Sequence, residues 1–109
     1  MDINTATPIF AALAHATRLR VFRSLVEAGP DGLSAGQIAA QLNVVQNTMS
    51  SHLNTLTQNH LITKQRNGRK LIYRANYECM SDVITFLLQD CCNGSQNVSE
   101  SVSAAIACN

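Results

Sequence analysis

Four cysteines stand in this chain of 109 residues, and two of them are adjacent, Cys91 and Cys92. Adjacent cysteines make a poor disulfide with each other, because the ring strains the intervening peptide bond. Both can reach one soft ion, and Cys108 would add a third sulfur. Three sulfurs suit trivalent arsenic or antimony, whose lone pair leaves a pyramidal three-coordinate site, whereas structural zinc usually takes four ligands. The stretch from Cys92 to Cys108 can extend to roughly 50 Å at about 3.3 Å per residue, so Cys108 could close a site on its own chain or on a second copy. The plainer alternative makes Cys91 a small apolar residue on a helix stripe, Cys92 incidental and Cys108 part of a tail. Cys79 stands apart from the others and fits packing better than ligation.

A second set of residues carries different chemistry. Between Asp31 and Glu78 there is no acidic residue, yet Lys64, Arg66, Arg69, Lys70 and Arg74 all fall there, in a chain whose formal net charge is only +1. Overall composition is not that of a strongly basic nucleic-acid-binding domain; the positive charge is segregated. Just upstream, Gln46–Leu56 (QNTMSSHLNTL) combines helical apolar spacing with small hydrogen-bonding side chains. Gln46, Asn47, Thr48, Ser50, Ser51 and His52 can supply donors and acceptors to base edges and phosphates of DNA. Arg66, Asn67, Arg69 and Lys70 would then lie near phosphates or in the minor groove. A merely solvated helix face and a hairpin kept soluble by charge are the plainer readings. The position of one directly before the other favours DNA.

The elements that must hold these residues follow from periodicity. Ile9, Phe10 and Leu13 predict a short first helix, and Leu19, Phe22, Leu25 and Val26 predict one face of a second from about Thr17 to the Gly29-Pro30 stop. Ser34 with Gln37 three residues on predicts a capping box opening a third helix, with Leu33, Ile38 and Leu42 as its apolar positions. The short link Asn43-Val44-Val45 leads to a fourth helix with Met49, Leu53 and Leu56 inward, which is helix-turn-helix geometry. After His60 the period becomes extended, and Asn67-Gly68 between two such runs predicts a tight hairpin, since both residues tolerate positive φ. From Asn76 a last helix carries Met80, Val83, Ile84, Leu87, Leu88 and Cys91 on one apolar stripe. The fold class expected is mainly α with a small β-hairpin, a winged helix-turn-helix. It would occupy residues 1–92, with 93–109 a Ser- and Asn-rich tail contributing a possible effector ligand.

Three segments together resemble the ArsR/SmtB family of winged-helix repressors over about residues 8–90: LAHATRLRVFRSL, VVQNTMSSHLNTLTQNHLI and RNGRKLIYR. The resemblance implies a homodimer built on the first and last helices, with each fourth helix in a major groove of a palindromic operator, and weaker DNA binding once a metal or metalloid is bound. The chain departs from the family's best-known sites. Its third helix, in LSAGQIAAQL, has no Cys-x-Cys pair, and Asn76–Asp90 has no histidine. Adjacent terminal cysteines are instead similar to those of an atypical arsenic-responsive group, though the third cysteine here lies farther along the chain.

Electrostatics points the same way. Asp90 and the carboxyl end of the last helix oppose negative charge on Cys91 and Cys92. Neutral arsenous acid condenses with three thiols and releases three waters, leaving no net charge, so the site is less hostile to arsenite than to a divalent cation. A thiol-redox or persulfide switch on the same cysteines is the rival regulator. A small thiol enzyme such as an arsenate reductase is the rival of another class. Against it, there is no Cys-x-x-Cys at a helix start and no arginine after Arg74 to form an oxyanion loop. The apolar runs are too short to span a bilayer and the first residues lack a signal-peptide pattern, so a cytoplasmic protein with operator DNA as partner, and no membrane, is expected.

Overall fold

The computed structural model describes residues 1–89; Cys91, Cys92 and Cys108, with the whole tail 93–109, lie outside the described residues. Five α-helices and a three-stranded antiparallel sheet follow in the order α1 (Ile3–Leu13), α2 (Ala16–Ala28), β1 (Leu33–Ser34), α3 (Ala35–Leu42), α4 (Gln46–Gln58), β2 (Ile62–Asn67), β3 (Lys70–Ala75) and α5 (Tyr77–Leu88). This is a winged helix-turn-helix.

The local signals that start and stop these elements are mostly visible as hydrogen bonds. Ser34 Oγ accepts from the Gln37 amide at 3.2 Å while Gln37 Oε1 accepts from the Ser34 amide at 2.8 Å, the reciprocal pair that opens α3. Asn43 then turns left-handed (φ 54°), and the amides of Asn43 and Val44 return to the carbonyls of Ala40 and Ala39. That closing motif spends no extra residues, so α4 begins two residues later.

One core serves all elements. Val21, Leu25, Ile38, Met49, Leu53, Leu56, Leu61 and Ile62 are fully buried, with Ile9, Phe22, Tyr73, Cys79, Val83 and the alanines Ala12, Ala39 and Ala75 completing the cluster. The inward set of α4 is as expected, but α2 is rotated from its predicted face. Val21, Phe22 and Leu25 are buried, whereas Leu19 and Val26 are 47% and 39% exposed. Both sets fit helical spacing around the shared Phe22 and Leu25, and packing of α2 against α4 and β3 selects the arc containing Val21.

Two features of the sheet depart from the sequence reading. Leu33, expected on the third helix, lies instead in β1, a two-residue strand paired with β3 (Leu33 opposite Tyr73, Ser34 opposite Ile72), too short to show a period. The hairpin turn is displaced by one residue, because Asn67 pairs with Lys70 and the central residues are Gly68 and Arg69. Only Gly68 has positive φ (65°), which is the II′ pattern rather than the I′ turn that Asn-Gly suggests. Cys79 lies in α5 as part of the core; burial and nearby Asp82 both raise its thiol pKa, so it is held as a neutral packing residue.

Candidate DNA-binding surface

α4 divides cleanly into two faces. Met49, His52, Leu53 and Leu56 point inward, while Gln46, Asn47, Thr48, Ser50, Ser51 and Asn54 are exposed. α4 carries no Asp, Glu, Lys or Arg, so its open face offers hydrogen bonds without repelling phosphate. Asn54, outside the set drawn from sequence, extends this face by a turn beyond Ser50 and Ser51; the spacing from Asn47 was its signal. Gln46 leans over the start of α3, where its Nε2 would stand 3.7 Å from a side chain at Gly36.

His52 does not belong to this face. It is 9% exposed, its ring lies 4.7 Å from that of His15 at 53°, and its Nδ1 has no hydrogen-bond partner. His15 caps α2 through Nδ1, accepting from the Thr17 amide at 3.2 Å, and Arg18 stands nearby with its Nε on the Ala12 carbonyl. Helical spacing explains the correction: His52 sits between inward Met49 and Leu56, three and four residues away. Burial, with the positive fields of His15 and Arg18, lowers its pKa from 6.5.

A pH dependence follows, with its sign fixed. The unfolded chain binds a proton at this histidine more readily than the folded one, so folding stability falls as pH drops below about 6.5 and recovers above it. Urea midpoints measured between pH 7.5 and 5 should show this fall, and His52→Leu should flatten it. An equal slope in the variant would place the titrating group elsewhere.

The hairpin presents its cations to solvent. Lys64, Arg66, Asn67, Arg69 and Lys70 are all exposed, and among the described residues the one ion pair, Arg23 with Glu27 at 3.8 Å, lies on α2. Arg74 is the exception within the basic segment. Its Nε donates to the Pro30 carbonyl at 2.7 Å and its Nη1 to Gln65 Oε1 at 3.2 Å, so it fastens the base of the wing to the turn after α2. Asn76 fastens the other side: its Oδ1 caps α5 at the Cys79 amide and its Nδ2 donates to the carbonyl of His60, which is left-handed at φ 63°. α5 is thereby tied to the corner that follows α4.

Among the described residues no three side chains of His, Cys, Asp or Glu come together as a metal set, and no helix is long and apolar enough to cross a membrane. Fold and surface define a winged helix-turn-helix DNA-binding domain. A helix-turn-helix domain family model matches residues 13–65. The transcriptional repressor SdpR of Bacillus subtilis (strain 168) is 31% identical over 80 residues, 73% of this chain and 86% of that protein. An ArsR-like transcriptional regulator from Rhodococcus sp. RHA1 shares the fold with a TM-score of 0.73 at 23% identity, over 97% of this chain and 96% of its own. The homodimeric winged helix-turn-helix DNA-binding domain of a possible ArsR-family regulator from Mycobacterium bovis gives 0.66 at 22% identity, over 78% and 76% of the two chains. The chain belongs to the helix-turn-helix transcriptional regulators, and its fold is that of the ArsR-like structures. Its relatives are regulators of transcription and not enzymes.

Proposed function

We propose that this protein is a homodimeric repressor that holds operator DNA through α4 and the wing and releases it when trivalent arsenic or antimony binds Cys91, Cys92 and Cys108. The observation that carries the DNA reading is the exposed, uncharged polar face of α4 followed in the same domain by a wing whose cations form no ion pair among the described residues. Arg69→Ala should therefore weaken binding to all duplexes and lower the slope of log affinity against log salt by about 1. Gln46→Ala should instead reduce discrimination between operator and random DNA. Unchanged operator affinity in both variants at moderate salt would refute this assignment.

Dimerisation is supported by what the subunit leaves uncovered. Ile9 and Val83, counted in the sequence on the stripes that would meet a partner, belong to the subunit's own core. Leu87 at 58% and Phe10 at 38% exposure remain outward on α5 and α1, with Ile84 and Leu88 half-buried. A second copy would cover them. A monomeric mass at micromolar concentration would overturn this.

The effector reading rests on the chemistry of the three remaining sulfurs, since Cys79 is occupied in the core. Ligand binding at the end of the dimer helices would re-set the angle between the two reading heads, and Asn76 links α5 to the corner after α4. A coupling of about 1–3 kcal/mol lowers DNA affinity some 5- to 150-fold. Titrating reduced protein with arsenite, and separately with an oxidant, while following release of labelled operator separates this reading from a thiol-redox switch. Release by oxidant alone would select the switch.

A further inference from the structure

Val45 breaks two local rules at once. Among the described residues it is the most exposed large hydrophobic one, at 74%, although its neighbour Val44 packs against the core. It is also the N-cap of α4, with extended backbone (φ −62°, ψ 141°) and no side-chain hydrogen bond to the first turn. The other four α-helices each have a side-chain cap, from Asp2, His15, Ser34 and Asn76. Valine is among the poorest caps, and serine or aspartate here would stabilise the free protein. A residue that weakens its own helix and buries nothing gains its use when something else covers it.

From that position, we infer that Val45 is a specificity-determining residue that reads the 5-methyl group of thymine in the major groove. It adjoins Gln46 and Asn47 at the leading end of the exposed face of α4. In the major groove the methyl of thymine is the apolar feature that marks one base pair from the others, and an aliphatic side chain is its natural contact. Valine suits this because its branched Cβ restricts χ1, so little rotamer freedom is lost on contact. A capping side chain would bend back onto the Asn47 or Thr48 amide instead of reaching forward. The inference rests on the proposed reading of DNA by α4.

The probe is the highest-affinity duplex that the parent protein enriches from a randomised DNA pool, with each thymine replaced in turn by deoxyuridine. At one thymine in each half-site, loss of the methyl should lower parent affinity roughly threefold to tenfold, the scale of one buried methyl group. Val45→Ala should lower affinity for the thymine duplex by a similar factor and bind the thymine and uracil duplexes equally. Val45→Ser should melt at a higher temperature than the parent yet lose the same preference, which separates reading from folding. The inference is overturned if Val45→Ala retains the parent's thymine-to-uracil ratio at every position, or if no position shows a preference in the parent. A parent that enriches no duplex would overturn the underlying DNA reading instead.

Discussion

Gly32→Ala should destabilise the folded domain by about 2–5 kcal/mol, a large share of the roughly 5–15 kcal/mol that holds a small domain together. Gly32 has φ 65°, and a Cβ there would stand 2.5 Å from the Tyr73 carbonyl oxygen, 2.7 Å from Ile72 Cγ2 and 2.9 Å from Arg74 Cγ. The tightest of these is backbone of the central strand β3, so a side-chain rotation cannot relieve it. Gly68→Ala is the matched control, because its φ is also 65° but nothing lies within 4 Å. That variant should bear only the cost of a non-glycine residue at the first central position of the II′ turn, about 1–3 kcal/mol. Urea unfolding of the three proteins measures the difference, and a Gly32→Ala midpoint equal to that of Gly68→Ala would mean that β1 yields without cost. Because β1 runs directly into the Ser34 cap of α3, strain there would also loosen the helix-turn-helix.

The contrast between these two glycines shows what periodicity can and cannot convey. Gly68 was legible as a turn residue because two extended runs flank it, although the one-residue shift to a Gly68-Arg69 centre depends on strand register that only the paired β3 determines. Gly32 was not legible, since its crowding comes from residues forty positions later in sequence. The same division runs through the candidate surface. Met49, Leu53 and Leu56 repeat at helical spacing and point inward as their pattern requires. His52 is polar by type, and its burial beside His15 arises from the crossing of α4 with the α1–α2 corner. Arg74 reads as one more wing cation until its bond to Pro30 is seen. Charge segregation located the wing; tertiary contacts decided which of its charges are free.

The largest functional effect is expected at the other end of the chain. In Cys91→Ser/Cys92→Ser, operator affinity should match the parent while release by arsenite is lost. Serine oxygen is close in size to sulfur but hard, so the substitution removes affinity for a soft metalloid without adding bulk. Removing an outer-shell partner of a metal ligand already costs about 10- to 100-fold in affinity, so removing two ligands should shift half-release by more than that. Cys108→Ser should abolish release if three sulfurs are required, and only weaken it if two suffice and the third closes over the ion. Cys79→Ala provides the internal comparison. Its thiol is buried and raised in pKa, so its loss should lower stability through a small cavity but leave the arsenite midpoint where it was. If the double variant left its operator at the parent's arsenite concentration, the sensing group could not be this pair, and release by oxidant would become the reading to pursue.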